Sequence, residues 1–414
     1  MNILFLSLLD FNTFDDRNIY SDLLREFIKN GHDVYCISPV ERCCGKETTV
    51  LTFGNSRILK LKIGNTQKVS VIEKGVSTLR IENLFIKGIK EYFADVKFDF
   101  ILYATPPVTF AKTIRFVKKR DKAKSYLMLK DIFPQNAVDI GMMSKSGVKG
   151  IMYKYFREKE KELYELSDRI GCMSQSNVEY LLKNNPEIPA EKVEICPNCI
   201  DIQDICLSDR ERVEMRRKYG IPLDKKVFVY GGNLGKPQGI PFIVDCLKSC
   251  EKFEDAFFII AGSGTERYIL EKYVAEEKPE HVKLFGHIPK DEYDKMIACC
   301  DFGLIFLDHR FTIPNFPSRL LSYLQAGLPV IASTDKNTDV GKVIVDGGFG
   351  WWCESRNSDD FAEIVSKALT NENTSMSEKS WQWLNKHYRS SIVYATLEHF
   401  FSESKRIFKT DKRG

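Results

Sequence analysis

A chain of 414 residues is too long for one ordinary hydrophobic core; at roughly 150 residues per domain it calls for two or three. Its 43% hydrophobic and 29% charged residues are the composition of a soluble globular protein, not of a disordered or fibrous one. A net charge of +4 over this length argues against a dedicated nucleic-acid binder, while leaving room for a local basic face. No apolar run approaches the roughly 18 residues of a spanning helix. The opening MNILFLSLLDF lacks a basic leader and is cut by Asp10, so it reads as a buried first strand and not as a signal peptide. The 12 cysteines are scattered, several of them inside strand or helix patterns (Cys36, Cys172, Cys246, Cys299, Cys300). That suits a reduced, cytoplasmic compartment better than a disulfide scaffold.

In chain order, the pattern predicts a strand over 2–8, a polar loop through Asp15, Asp16 and Arg17, and a helix with Leu23, Leu24, Phe27 and Ile28 on one face. Gly31 closes that helix and a second strand follows over 32–38, which makes a βαβ unit and hence a parallel sheet. The alternation continues with strands over 98–104, 124–129, 169–174 and 193–196 and helices over 108–119, 151–166 and 176–184. After a charged helix over 208–219 it restarts. Strands are predicted over 227–230, 257–261, 282–285, 302–307 and 330–332, and helices over 240–250, 265–276, 291–300, 318–326 and 359–369. The tail from 377 is helical and rich in aromatic residues. The expected architecture is two doubly wound Rossmann-like domains facing a cleft, with the C-terminal helix crossing back to the first domain. The expected boundaries are residues 1–200, 201–380 and 381–414.

Three segments carry candidate chemistry. Gly231-Gly232-Asn233-Leu234-Gly235-Lys236 and Gly262-Ser263-Gly264 each follow a predicted strand, where an open α/β sheet binds ligands and glycine lets backbone N–H groups approach a phosphate. Neither has dinucleotide-fingerprint or P-loop spacing. In the third, Pro317, Ser318 and Arg319 open a helix, and arginine offers a planar fork to phosphate oxygens. Cys196 and Cys199 form a lone CxxC without a second pair, and His281, His287 and His309 have no ligand spacing, so no metal is expected. A basic run from Lys112 through Arg115, Lys118, Lys119, Arg120 and Lys122 to Lys124, with Lys145, Lys149, Lys154 and Arg157, is suited to anionic headgroups. Ile151, Met152 and Phe156 are candidates to dip into the interface.

Residues 316–332, FPSRLLSYLQAGLPVIA, resemble the donor-site helix of family-four retaining glycosyltransferases of GT-B architecture. Gly31-His32-Asp33-Val34, Cys196-Pro197-Asn198-Cys199-Ile200-Asp201, Gly232 to Gly239 and Gly262 to Gly264 agree with the same family in order and spacing. Asp131-Ile132-Phe133-Pro134 with Val138 and Gly141 is similar to a segment of the subgroup that builds bacterial O-antigen and capsular polysaccharides.

The resemblance implies a transfer of sugar from a nucleotide-sugar donor, a UDP-linked hexose or N-acetylhexosamine, to a glycan acceptor, lipid-linked in cell-surface polysaccharide synthesis. Residues 1–200 would bind the acceptor, with Asp15, Asp16 and Arg17 as candidates. Residues 201–380 would bind the donor through Gly232, Asn233, Gly235, Gln238, Gly262, Ser263, Gly264, Pro317, Ser318 and Ser322. Asp131, Lys236 and Arg319 are the catalytic candidates. No cofactor beyond the substrate is implied, and peripheral contact with the inner face of a membrane is compatible.

The sequence also departs from the family pattern. The family's paired glutamates would fall at Pro314 and Ser322, and its diphosphate-gripping Arg and Lys at Asn233 and Gln238. Lys236, Arg319 and Arg310 are the candidate compensating charges. These departures keep open an inactive GT-B partner subunit, a sugar-nucleotide epimerase or a simple nucleotide-binding module.

Overall fold

The computed structural model describes residues 1–10, 12–65 and 71–410. The chain divides into two compact units, one formed by 1–201 with 390–414 and the other by 202–389. Residues 381–389 therefore stay with the second unit instead of returning to the first. The helix Thr374–His387 packs on Arg319–Gln325, and Ser380 Oγ donates to the Leu328 carbonyl at 3.0 Å.

The first unit is built on eight strands: β1 (Asn2–Leu6), β2 (Asp33–Glu41), β3 (Thr49–Phe53), β4 (Ser56–Ile63), β5 (Phe100–Thr105), β6 (Lys124–Leu129), β7 (Arg169–Cys172) and β8 (Val193–Ile195). They lie in the order β3-β4-β2-β1-β5-β6-β7-β8, all parallel except β3 against β4. Burial on both faces explains the near-continuous apolar run of β5, whose six residues are all buried. The β3–β4 hairpin and the helix Val71–Tyr92 were not expected from the sequence. A Gly54-Asn55 turn, with Gly54 at φ +60°, was the hairpin's available signal.

The last helix, Ser390–Thr410, belongs to this unit. Its entry is fixed by Ser390 N–H donating to the Ile200 carbonyl at 2.9 Å. Tyr394 packs edge-on against Phe27 with centroids 5.0 Å apart, Phe400 meets Tyr126 at 5.8 Å, and Leu397 is fully buried among them. The aromatic residues Tyr394, Phe400 and Phe401 of this helix are thus core, not surface.

The basic run on and just past the helix Ala111–Asp121 is only in part the free face expected of it: Lys112, Lys119 and Lys122 are exposed, but other cations of the run are engaged. The Lys118 amine donates to Asp168 and to the Leu166 carbonyl, each at 2.7 Å, Arg115 pairs with Glu162 at 2.7 Å, and Arg120 binds Asp121 and the Val96 carbonyl. Those charges hold the helix to its own unit.

The second unit opens with the helix Asp209–Tyr219, started by a capping box between Ser208 and Glu211 and ended by Gly220 at φ +58°. Buried Arg216 reaches Asp301 at 2.7 Å, and Asp301 accepts the Val227 N–H at 2.7 Å, which locks this helix to the sheet. Six parallel strands follow: β9 (Lys226–Asn233), β10 (Ala256–Ser263), β11 (Val282–Phe285), β12 (Phe302–Phe306), β13 (Val330–Thr334) and β14 (Gly350–Glu354), in the order β11-β10-β9-β12-β13-β14. The strand β14 was missed because its Gly-Trp-Trp-Cys run is short and half-exposed. Phe258, Phe228 and Phe302 stand in register on three neighbouring strands, stacked at 5.0 and 4.8 Å. This ladder sets the carboxyl ends of β9 and β10 level with each other. The strand order reverses between β9 and β12, a switch point of the kind at which open α/β sheets bind ligands.

All four tryptophans (351, 352, 381 and 383) lie in the second unit. Replacing Leu397 by Ala removes a fully buried side chain from the first unit and is expected to cost about 2–5 kcal/mol. In urea, the transition followed by far-UV circular dichroism should begin earlier while the tryptophan fluorescence transition keeps its midpoint. A common shift of both signals would contradict the division into two cores.

Candidate functional site

Two glycine turns lie side by side at the switch point. The register of β9 and β10 runs on past their apolar parts to pair Gly232 with Gly262 and Asn233 with Ser263. Gly262 has φ +146°, and a Cβ there would stand 1.9 Å from the Gly232 carbonyl oxygen; one at Gly264 would stand 2.3 Å from the Leu234 backbone. These glycines are required first by one turn pressing on the other. The Leu234 N–H donates to Ser263 O at 2.8 Å and the Glu266 N–H to Leu234 O at 2.9 Å, closing the pair. Arg267, which the sequence reading passed over, donates to the Gly262 and Phe285 carbonyls.

Lys236 begins a short 3₁₀ turn, Lys236–Gln238, and is exposed. Gln238 is buried, and its Oε1 accepts from Asn233 Nδ2 at 3.1 Å and from the Gly235 N–H at 3.3 Å. The two residues that stand where the family has Arg and Lys therefore brace the loop against itself. The loop is also fastened across the switch point, where the Asp308 N–H donates to the Pro237 carbonyl at 3.0 Å.

Arg319 is the charge that these turns surround. Its guanidinium carbon sits 4.4 Å from the centroid of the Tyr230 ring, and a Cβ on Gly232 would be 3.5 Å from it. Tyr323, one helical turn along the same face, donates its hydroxyl to the Leu304 carbonyl at 3.1 Å and accepts the Gly231 N–H at 3.2 Å. The Tyr230 hydroxyl donates to Asn233 O at 2.8 Å. Arg319 forms no ion pair among the described residues, and its Nη1 is shielded from solvent without a hydrogen-bond partner. A buried guanidinium donor left unmatched is costly, and an anion supplies what the protein does not. Tyr230, Tyr293 and Tyr323 were not singled out from the sequence. The spacing of Arg319 and Tyr323 was the usable signal.

Other expected residues fare differently. The helix spans Arg319–Gln325, only seven residues, with Pro317 and Ser318 before it; Ser318 has helical dihedrals and caps nothing with its side chain. The positive charge at this place is thus the Arg319 side chain set against the glycine turns, not an extended helix terminus. Ser322 is half-buried on the turn after Arg319. Arg310 is not a free charge, since it grips Asp308 through Nε at 2.9 Å and Nη2 at 2.7 Å. Burial pushes the Asp308 carboxyl up, but those hydrogen bonds prevail and hold it below the usual carboxylate range. Asp335, just past β13, was missed. It is fully buried, its Oδ1 accepts the N–H groups of Asn337 and Thr338 at 2.8 and 3.1 Å, and its Oδ2 has no partner. Burial raises this carboxyl to about 6.

In the first unit, Asp131 follows the carboxyl end of β6. Its backbone carbonyl accepts from Thr105 Oγ1 at 3.2 Å, its carboxylate has no hydrogen-bond partner among the described residues, and desolvation raises it to about 6. The adjoining Lys130 amine is lowered by the same burial. In the loop after β1, Asp16 accepts the Asn12 N–H at 3.0 Å and Asp15 is bound within the loop to Thr13, while Asn18 caps the next helix through the Tyr20 and Ser21 N–H groups. Arg17 lies on the same loop. Cys196 and Cys199 are buried in the first unit's core as free thiols.

Residues 211–383 match the family model "Glycosyl transferases group 1". Over 341 residues the chain is 24% identical to the probable glycosyltransferase WbjE of Pseudomonas aeruginosa, covering 82% of each chain. Over 249 residues it is 23% identical to the putative colanic acid biosynthesis glycosyl transferase WcaI of Escherichia coli K12, covering 59% of this chain and 60% of the relative. Among solved structures, HepE of Anabaena in complex with UDP superposes with a TM-score of 0.68 at 13% identity, over 97% of this chain and 100% of that one. That likeness shows the fold, which is GT-B. Residues 211–383 are thus a group 1 glycosyltransferase domain, and with relatives named glycosyltransferases along most of its length the chain is a glycosyltransferase.

Proposed function

We propose that this glycosyltransferase moves a sugar from a UDP-linked hexose or N-acetylhexosamine to a lipid-linked glycan acceptor in cell-surface polysaccharide synthesis, with retention at the anomeric carbon. The observation that carries the reading is the unmatched Arg319 guanidinium beneath two glycine turns at a strand-order switch point. A diphosphate supplies the planar acceptor pair that this donor lacks. The HepE complex with UDP and the naming of WcaI for colanic acid biosynthesis support the nucleotide and the class of product.

On this reading Gly232, Asn233, Gly235, Gln238, Gly262, Ser263, Gly264, Pro317, Ser318 and Ser322 shape the donor site of residues 202–389. Lys236 and Arg319 stabilise the departing diphosphate. The first unit, with Asp15, Asp16, Arg17 and Asp131, binds the acceptor. In the reaction, the bond from the anomeric carbon to the diphosphate oxygen breaks. The acceptor oxygen bonds on the same face, and its proton passes to a departing phosphate oxygen. The chemistry then depends on preorganised positive charge and requires neither a carboxylate nucleophile nor a metal.

Arg319→Ala is expected to weaken UDP binding by about 1.5–3 kcal/mol in calorimetry, the range of a charge-assisted hydrogen bond. Arg319→Lys should recover only part of it, because the fork is lost. Unchanged affinity in a folded Arg319→Ala protein would move the diphosphate elsewhere, and a wild type that binds no UDP-linked ligand would favour a partner subunit without donor.

Ser322 offers a neutral hydroxyl where the resembled family has a ribose-binding glutamate. Ser322→Ala should therefore cost under about 1 kcal/mol of donor affinity. A thousandfold loss of turnover with folding intact would give that serine a larger role.

Because burial raises Asp131 to about 6, its carboxylate form fills in as pH rises through that value. If the charged form orients the acceptor, kcat/KM should climb through about pH 6 and level off above it, and Asp131→Asn should flatten the climb. A step that persists in Asp131→Asn would assign the titration to another group, with Asp335 the first candidate.

A further inference from the structure

The helix Gly147–Leu166 carries two different surfaces along its length. In its first half Val148, Ile151, Met152 and Tyr155 recur at i, i+3, i+4 and i+7, and all four face solvent, Val148 at 82% and Ile151 at 70% exposure. Met142, just before the helix, is 60% exposed. A stripe with this spacing ordinarily faces a core. Here the core contacts are made by other positions: Gly150, Leu163 and Tyr164 are buried, and Phe156 packs on Phe133 with centroids 5.1 Å apart. Phe156 is therefore only half-exposed, whereas Val148 and Tyr155 are exposed.

The charges separate in the same way. Lys145, Lys149 and Lys154 are exposed, take part in no ion pair among the described residues, and have no acidic residue between Asp139 and Glu158. In the second half the acids begin, and they are engaged: Glu160 with Arg157, and Glu162 with Lys159 and Arg115. One half of the helix is tied electrostatically into its unit. The other presents ammonium groups without an acidic partner around bare hydrocarbon, that of Lys145 lying 5.4 Å from the Tyr153 ring centroid.

We infer that residues 142–155 seat the first unit on an anionic lipid bilayer. Apolar side chains of this size enter the boundary between headgroups and acyl chains, while lysine keeps its ammonium at the level of lipid phosphate. The lysines also argue against a second copy of the chain as the occupant. Two such faces would bring six ammonium groups together with no carboxylate to meet them. The inference rests on this surface alone and stands or falls independently of the donor site.

Sedimentation with phosphatidylcholine vesicles, with and without phosphatidylglycerol, tests it. The full chain should partition onto the anionic vesicles only, less so as salt rises. Lys149→Glu with Lys154→Glu should lower the partition coefficient more than about tenfold, since each cation near the surface is worth about fivefold. Val148→Glu with Ile151→Glu should do the same. Both double variants alter exposed side chains and should keep the wild-type circular dichroism melt and UDP affinity, which separates failure here from failure of the donor reading. Equal partition onto both vesicle types, or onto neither, overturns the inference. So does a dimer in sedimentation velocity that Val148→Glu with Ile151→Glu abolishes, which would give the face to a second copy.

Discussion

A guanidinium with no carboxylate beside it among the described residues is the constraint on which the second unit's site depends. Arg319 lies over Tyr230 and among the hydroxyls of Tyr293 and Tyr323, none of which carries a charge at neutral pH; burial raises all three phenols further. Had an aspartate stood there, it would have neutralised the arginine and occupied its fork. Instead the ring face offers partial compensation that leaves Nη1 unmatched. The other arginines of this unit show the contrast. Arg216 is buried and fully employed by Asp301 and four carbonyls, and Arg310 is held by Asp308. Of these three, Arg319 is the one whose environment reserves its charge.

The turns around it explain why the site tolerates so few side chains. At Gly262 and Gly264 the steric demand comes from the facing β9 turn, so the glycines are fixed by backbone packing whether or not a ligand is present. The same packing leaves the guanidinium next to open backbone at Gly232. Strand register, set far below by the Phe258–Phe228–Phe302 ladder, therefore reaches the chemistry directly. A slip of one residue would separate Gly232 from Gly262 and close the approach to Arg319.

Much of this was legible in the sequence, because parallel α/β sheets announce themselves through apolar strands, glycine-ended helices and regular alternation. The glycine turns and Arg319 could be named from their places after strands and before a helix. What a sequence does not display is which charges are spoken for. Lys118, Arg115 and Arg120 look like a basic face when counted along the chain, but Asp168, Glu162 and Asp121 employ them, and the first two of those partners lie more than forty residues away. Arg310 misleads for a related reason, since its partner is two residues earlier on a sharp turn and not one helical turn away. Asp335 escaped notice because its burial depends on the tertiary environment past β13, not on any local pattern. The β3–β4 hairpin did leave a signal, since Leu59 to Ile63 alternates apolar and basic residues shortly after the Gly54-Asn55 turn.

The absent glutamates take on a different weight beside these findings. At Pro314 no side chain can accept a hydrogen bond, and at Ser322 a neutral hydroxyl stands on the turn after Arg319. An acid at 322 would lie one helical turn from a guanidinium that has no counter-ion among the described residues, where it would both attract that charge and compete with any phosphate for it. With serine there the guanidinium keeps its charge free of a neighbouring acid, and on the proposed reading recognition rests on the diphosphate more than on the ribose. Positive charge kept free of protein acids is also what the departing group of a glycosyl transfer requires. On the proposed reading, the serine would give up a ribose contact and leave more positive charge to the phosphates.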